Sequence, residues 1–233
     1  MGAAAPGGEA PRPQPASTSG FFVTGTGTEV GKSVVAAVIA AGAAAEGLDV
    51  AVFKPAVSGL DEGGEPDHAL LARASGSGQS PDEIAPYRYG PPVSPHLAAE
   101  LAGEEIDAKL LVAAAAAAAE RVDAIVCEGV GGLMVPLKPG YLVRNLAVEL
   151  GHPLVIAAHP GLGTINHTLL TIEAAWTAEL EVRAVVLTPW PAAPGRLEES
   201  NRETIAGLTG VEVLNLEEID LERPDDWPRL DLV

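Results

Sequence analysis

Val23 to Val34 reads V-T-G-T-G-T-E-V-G-K-S-V, a glycine-rich turn that ends in Lys32 and Ser33 and lies between an apolar run and a long alanine-rich one. Glycine at 25, 27 and 31 leaves the backbone free to take positive φ and turn its N–H groups inward. A helix beginning at Lys32 would present the positive end of its dipole to the same space, so the natural ligand of such a turn is an anionic phosphate. There the Lys32 ammonium reaches the outer phosphates of a nucleoside triphosphate, and the Ser33 hydroxyl is a ligand for magnesium. The loop departs from the pattern G-x-x-x-x-G-K-[ST], because Thr26 stands where that pattern needs glycine and Gly25 lies one residue too early. It is a phosphate loop lengthened by one residue.

Phosphoryl transfer asks a protein for cations around the γ-phosphate and hard oxygen ligands for a metal, with little covalent work. Lysine is scarce, standing only at 32, 54, 109 and 138. Lys54 follows V-A-V-F and precedes Pro55, where a parallel strand points its last side chain into a ligand crevice. A second cation there would stabilise charge developing on the transferred group. Glu128 ends A-I-V-C and opens the glycine-rich turn E-G-V-G-G, a place for a metal-directed acid. Asp67 is another candidate carboxylate, and its reading as a plain helix N-cap stands beside that one. Cys127, the single cysteine, has no internal partner and lies in an apolar run, so it reads as a small buried hydrophobe. Ser58 in A-V-S-G-L lacks the flanking glycines of a nucleophile elbow. His68, His96, His152, His159 and His167 lack the spacing of zinc ligands.

These residues need elements to hold them. Apolar runs at Phe21 to Thr24, Val50 to Phe53, Asp123 to Cys127, Leu154 to Ala158, Arg183 to Leu187 and Val211 to Leu214 predict strands. Between them, helices are predicted at Lys32 to Glu46, Asp67 to Ala74, Asp107 to Arg121, Ile165 to Ala178 and Glu198 to Leu208, the third carrying seven consecutive alanines. Strands too apolar to alternate are covered on both faces. The fold class is therefore α/β, an open doubly wound, mostly parallel sheet in one domain, with sites at strand carboxyl ends.

With 32 acidic and 14 basic residues the chain of 233 carries a formal charge of −18, which repels nucleic acid backbones and anionic lipid. Neither nucleic acid nor membrane is an expected partner. No apolar run spans a bilayer and the start lacks the layout of a secretion signal, so the expected compartment is the cytoplasm. Residues 1–20 hold four prolines, four glycines and five alanines with almost no large apolar side chain, and read as a disordered leader ahead of a domain over 21–233.

The segments G-T-G-T-E-V-G-K-S, F-K-P-A-V-S-G, V-S-P-H, C-E-G-V-G-G-L-M-V-P and G-L-G-T-I-N-H-T-L-L-T together resemble dethiobiotin synthetase, in order from Phe21 to about Leu187. The resemblance implies a P-loop NTPase-like ligase of biotin synthesis that uses ATP, CO2 and 7,8-diaminononanoate, with Mg2+, to close the ureido ring through a carbamate and a phosphorylated carbamate. It implies magnesium ligands at Ser33, Asp67 and Glu128, an active-site lysine at Lys54, and diamine or carbamate contacts at Thr28 and Ser58. Glu29, Val30, Gly31, Lys32 and Ser33 match the phosphate loop, and Asp67, Glu128, Gly129, Val130 and Gly131 are placed with the nucleotide. The far carboxylate of the substrate is implied at Gly163, Thr164 and Asn166, at a subunit boundary of a homodimer. Where the family often has Asn-Asp to read adenine, this chain has Thr188-Pro189-Trp190, which predicts relaxed base selectivity.

The rival reading is a regulatory ATPase of the partitioning or cell-division type. Those carry an extra lysine near the loop start, where Thr24 and Thr26 stand here. A GTPase would need an N-K-x-D or T-K-x-D segment, and an amidotransferase-linked ligase a cysteine in a glutaminase setting; neither is present.

Overall fold

The apolar stretch Phe21–Phe22–Val23 runs through the centre of the molecule as strand β1 (Ser19–Gly25), and the other elements are arranged about it. The computed structural model describes residues 19–232. From β1 the chain passes through α1 (Lys32–Ala45), β2 (Val50–Phe53), β3 (Ala56–Val57), α2 (Asp67–Ser75), α3 (Pro81–Ile84), β4 (Tyr87–Arg88), α4 (Pro95–Ala102) and α5 (Ala108–Ala119). It continues with β5 (Ala124–Gly132), β6 (Pro136–Lys138), β7 (Tyr141–Leu142), α6 (Val143–Leu150), β8 (Leu154–Ala158), α7 (Thr164–Trp176), β9 (Val182–Trp190), α8 (Arg196–Thr209) and β10 (Glu212–Glu217). The expected leader falls outside the described residues except for Ser19 and Gly20, which already belong to β1.

Six strands form one parallel sheet in the order β10-β9-β8-β1-β5-β2. Side chains alternate across it with period two. Val23, Val126 and Val155 face α1 and α2, while Phe22, Ile125 and Leu154 face the layer that includes α5 and α6. Ile156 and Leu187 pack against Ile172 of α7 and Ile205 of α8. The sheet is thus doubly wound, as its unalternating apolar strands require. Of the seven consecutive alanines in α5 only Ala115 and Ala119 are buried, so the others serve helix propensity more than packing.

Two strands run further than their apolar runs. β5 continues through Glu128 to Gly132, because Glu128 stays in register with Val23 and Gly132 with Gly25; E-G-V-G-G is strand rather than turn. β9 likewise carries Thr188, Pro189 and Trp190, through a cis Thr188–Pro189 peptide. Helices α3, α4 and α6 have no counterpart among the expected helices. The first has a legible signal, since Ser80 accepts from the Glu83 N–H at 3.3 Å and donates its own N–H back to Glu83 at 2.7 Å.

The sheet edge at β2 is closed by a side chain. Gln79 accepts from the Val52 N–H at 2.8 Å and donates to the Val52 carbonyl at 3.1 Å, standing in for a neighbouring strand. Beyond β10 the chain returns across α1 and α2, burying Trp227 and Leu232 in their shared core.

Candidate active site

The turn between β1 and α1 lies at the carboxyl edge of the sheet, where β1 is flanked by β5 and β8. Its entry is fixed by the Thr26 N–H, which donates to the Ala157 carbonyl at 3.0 Å. Of the three glycines expected at positive φ only Gly31 takes it, at +84°, as the residue before the first turn of α1; Glu29 also does, at +59°. Gly25 remains extended and is needed for space, since a β-carbon there would lie 2.6 Å from Val30 Cγ2. Gly27 shows neither need. Gly31 has a close neighbour as well: its β-carbon would lie 2.6 Å from Thr188 Cγ2, so β9 presses on the turn.

Period two explains how the chemistry gathers. Val52 and Val126 point towards α1 and α2, so Lys54 and Glu128, two residues further on, point the same way just beyond the core. Asp67 and Ser33, at the first turns of α2 and α1, meet them. Lys54 Nζ donates to Glu128 Oε1 at 2.5 Å and pairs with Asp67 Oδ2 at 2.9 Å, and Ser33 Oγ donates to the same Glu128 oxygen at 2.8 Å. Asp67 is therefore the first residue of α2, with Pro66 in the cap position, and its carboxylate is turned to Lys54 instead of capping the helix. Lys32 lies close by, folded so that Nζ donates to the Gly27 carbonyl at 2.8 Å.

The cluster balances two cations against two anions. Burial works against the Lys54 charge, but Glu128 and Asp67 outweigh it and hold the ammonium above its ordinary pKa. Burial would raise Asp67, yet Lys54 prevails and holds it low. Burial dominates at the other two, lifting Glu128 and lowering Lys32. Among the described residues no group of three or more His, Cys, Asp or Glu could hold a metal alone. The set here is two carboxylates and a hydroxyl, which fits magnesium shared with phosphate oxygens. One observation supports that fit: Glu128 Oε2 is buried and has no hydrogen-bond partner among the described residues.

A cleft of about 930 Å³ opens over this cluster. Thr28, Glu29, Gly31, Lys32, Ser33, Lys54, Ser58, Asp67, Glu128, Val130 and Gly131 all line it. Five expected residues do not. Val30 turns its side chain into the core, and Gly129 backs onto Phe22 and Val143, where a β-carbon would lie 3.0 Å from Val143 Cγ1. Gly163, Thr164 and Asn166 also lie apart from this cleft. Gly163 has φ +92° and precedes α7, Thr164 is buried beside Thr168, and Asn166 is exposed. The lining also includes Pro92 to Pro95 and Leu221, to which sequence assigned no role. The V-S-P-H segment was a signal for the first; nothing in the local sequence signals Leu221.

A family model described as "AAA domain" matches residues 19–220. Proteins called "ATP-dependent dethiobiotin synthetase" are similar over most of the chain. The Anaeromyxobacter dehalogenans protein is 42% identical over 197 residues, covering 84% of this chain and 88% of that protein. The Rhodococcus erythropolis protein is 40% identical, with 84% and 86% covered, and the Bacillus subtilis protein 35% identical with the same coverage. Solved structures share the fold at low identity. A nucleotide-binding protein from Archaeoglobus fulgidus in complex with ADP superposes with TM-score 0.52 at 14% identity, covering 93% of this chain and 94% of that one. A Cyanothece McdA variant in complex with ATP superposes with TM-score 0.54 at 11% identity, covering 90% and 86%.

Proposed function

This chain belongs to the dethiobiotin synthetase family, and from that premise we propose how its residues divide the work of closing the ureido ring. The enzyme is an ATP-dependent ligase of biotin biosynthesis acting on small molecules, and the regulatory ATPase reading has only distant likenesses of fold behind it. The observation that carries the proposal is the meeting of Ser33, Lys54, Asp67 and Glu128, from four separate segments, beside Lys32 on one cleft wall.

Both reactants are anions, a carbamate and a triphosphate, and they approach only where cations stand between them. Lys32 and the inward N–H groups from Glu29 to Ser33 bind and orient the phosphates. Ser33, Asp67 and Glu128 hold Mg2+, which when bound draws charge from the phosphoryl oxygens. Thr28 and Ser58, both lining the cleft, position the diamine and its carbamate. The carbamate oxygen attacks the γ-phosphorus as the bond to the bridging oxygen of ADP breaks. The second amine then attacks the carbamoyl carbon, loses a proton and expels phosphate. Lys54 is the catalytic cation of both steps, facing the oxygens on which negative charge grows.

The far carboxylate of the diamine is assigned to the first turn of α7 at Gly163, Thr164 and Asn166, outside the cleft of one chain. That arrangement suits a homodimer in which a second copy brings the α7 terminus to the cleft. Leu162, 92% exposed, and Leu170, 61% exposed, flank Asn166 and give such a contact apolar area. The base is assigned to the side where Pro189 and Trp190 meet Glu217 and Glu218, lining a pocket of about 350 Å³. Pro189 offers no N–H there, which supports relaxed base choice; a strong preference for ATP over CTP and GTP would refute it. The single cysteine suits the reducing cytoplasm, and among the described residues no helix is long and apolar enough to cross a membrane.

The test is phosphate release by purified protein given ATP, Mg2+, bicarbonate and 7,8-diaminononanoate. Release is expected to depend on the diamine. Hydrolysis indifferent to it would end the ligase reading.

A further inference from the structure

Arg73 lies outside the cleft, on α2, yet its guanidinium joins two pieces of the cleft wall. Nε donates to Glu65 Oε1 at 3.2 Å, Nη2 donates to Glu65 Oε2 at 2.6 Å, and Nη1 donates to the Leu221 carbonyl. Glu65 belongs to the segment leading into α2, and Leu221 to the segment that follows β10; both line the cleft over Lys32, Lys54 and Asp67. The side chains of Arg73 and Glu65 are 32% and 39% exposed. At that exposure an ion pair adds little to stability. What a planar fork adds is geometry, because three donors in fixed directions hold a carboxylate and a carbonyl at one separation.

The segment held in this way runs from Glu217 and Glu218, beside the pocket at Pro189 and Trp190, to Leu221 at the cleft. With the base assigned to that pocket, a nucleotide whose phosphates sit at Lys32 and Ser33 would have its nucleoside along that path. Leu221 also packs on the core shared by α1 and α2, and the neighbouring Asp220 carbonyl accepts from Trp227 Nε1 at 2.8 Å; the anchors further along lie away from the cleft. Arg229 pairs with Glu46 at the end of α1 at 3.3 Å, and Arg183 Nε donates to the Leu232 carbonyl at 2.6 Å.

We propose that Arg73 is a positioning residue for the nucleotide: it ties the segment after β10 to the entrance of α2 and so fixes the width of the cleft without touching the ligand. The proposal rests on the reading of this cleft as the ATP site. Its consequence is that nucleotide affinity depends on a side chain outside the binding surface, and on the tie at Leu221 more than on docking of the C-terminal segment as a whole.

The experiment measures ATP binding to the full chain by calorimetry, together with steady-state KM and kcat, for Arg73→Ala, Arg73→Lys, Glu65→Ala and Arg229→Ala. Arg73→Ala should weaken ATP binding and raise its KM about five- to tenfold, with kcat at saturating ATP and the KM for the diamine within about twofold. Arg73→Lys should restore only part of the affinity, since one ammonium cannot reproduce the fork. Arg229→Ala, which releases the chain further on and away from the cleft, should bind ATP as the wild type does. Should Arg73→Ala fold poorly, Arg73→Lys and Glu65→Ala carry the test, with thermal melting as the check on folding. Unchanged ATP affinity in folded Arg73 and Glu65 variants would overturn the proposal, as would an equal loss in Arg229→Ala. Failure of the wild type to bind ATP would instead sink the reading of the cleft itself.

Discussion

A carboxylate as deep as Glu128 depends on its partners, and here one oxygen takes two hydrogen bonds while the other takes none. Lys54 is the compensating charge, so its removal acts twice. Lys54→Ala should lower kcat for ring closure by about a hundredfold or more, and should also cost about 3 kcal/mol of stability by leaving Glu128 buried without a cation. Steady-state assay and chemical denaturation separate the two effects; full activity in that variant would remove Lys54 from the mechanism. Cys127 is the opposite case. It points to the other face of β5, and burial pushes its thiol up to about 12. A raised thiol pKa leaves almost no thiolate near neutrality. Alkylation by iodoacetamide at about pH 8 should therefore be negligible in the native protein and rapid in denaturant, as followed by mass spectrometry. Rapid native labelling would show that this residue is reachable.

At the scale of elements, the phosphate loop is shaped from outside as well as by its glycines. Gly31 needs a left-handed backbone, and the methyl of Thr188 on β9 occupies the place of a side chain. Gly31→Ala should abolish measurable ATP binding, through strain of about 1–2 kcal/mol and through the collision. Adding Thr188→Ser removes the methyl and should recover part of the affinity while leaving the strain. No recovery in the double variant would mean that the contact is incidental. The edge of β2 gives a prediction of another kind. Gln79 satisfies both polar groups of Val52, so Gln79→Ala should cost about 2 kcal/mol with little change in kcat/KM, measured by urea denaturation beside the assay.

For the whole molecule, with its charge of −18, the cleft cluster is a place where two cations match two carboxylates. Two of the four lysines stand there, one of them tied to both carboxylates. A homodimer joined through the start of α7 would place apolar Leu162 and Leu170 at the contact. Leu162→Glu combined with Leu170→Glu should give monomers by light scattering and should raise the KM for the diamine, which is the substrate assigned to that terminus. A stable dimer with unaltered kinetics would place the boundary elsewhere.

Much of this was legible in the residues themselves. Apolar runs without alternation marked a sheet covered on both sides, and the glycine-rich turn marked the start of α1 at Lys32 and Ser33, because strand period and the positive φ of Gly31 are local properties. Strand period also aimed Lys54 and Glu128 once their strands were assigned. The rest needed the chain to be folded. Asp67 reads equally well as a helix cap until Lys54 lies 2.9 Å away, and β5 reads as ending at Cys127 until β1 supplies a partner for its glycines. Thr188 against Gly31 and Arg73 against Leu221 join residues 157 and 148 positions apart, as their numbers show. Contacts between residues so far apart along the chain leave no periodic trace in it, so only packing could decide them.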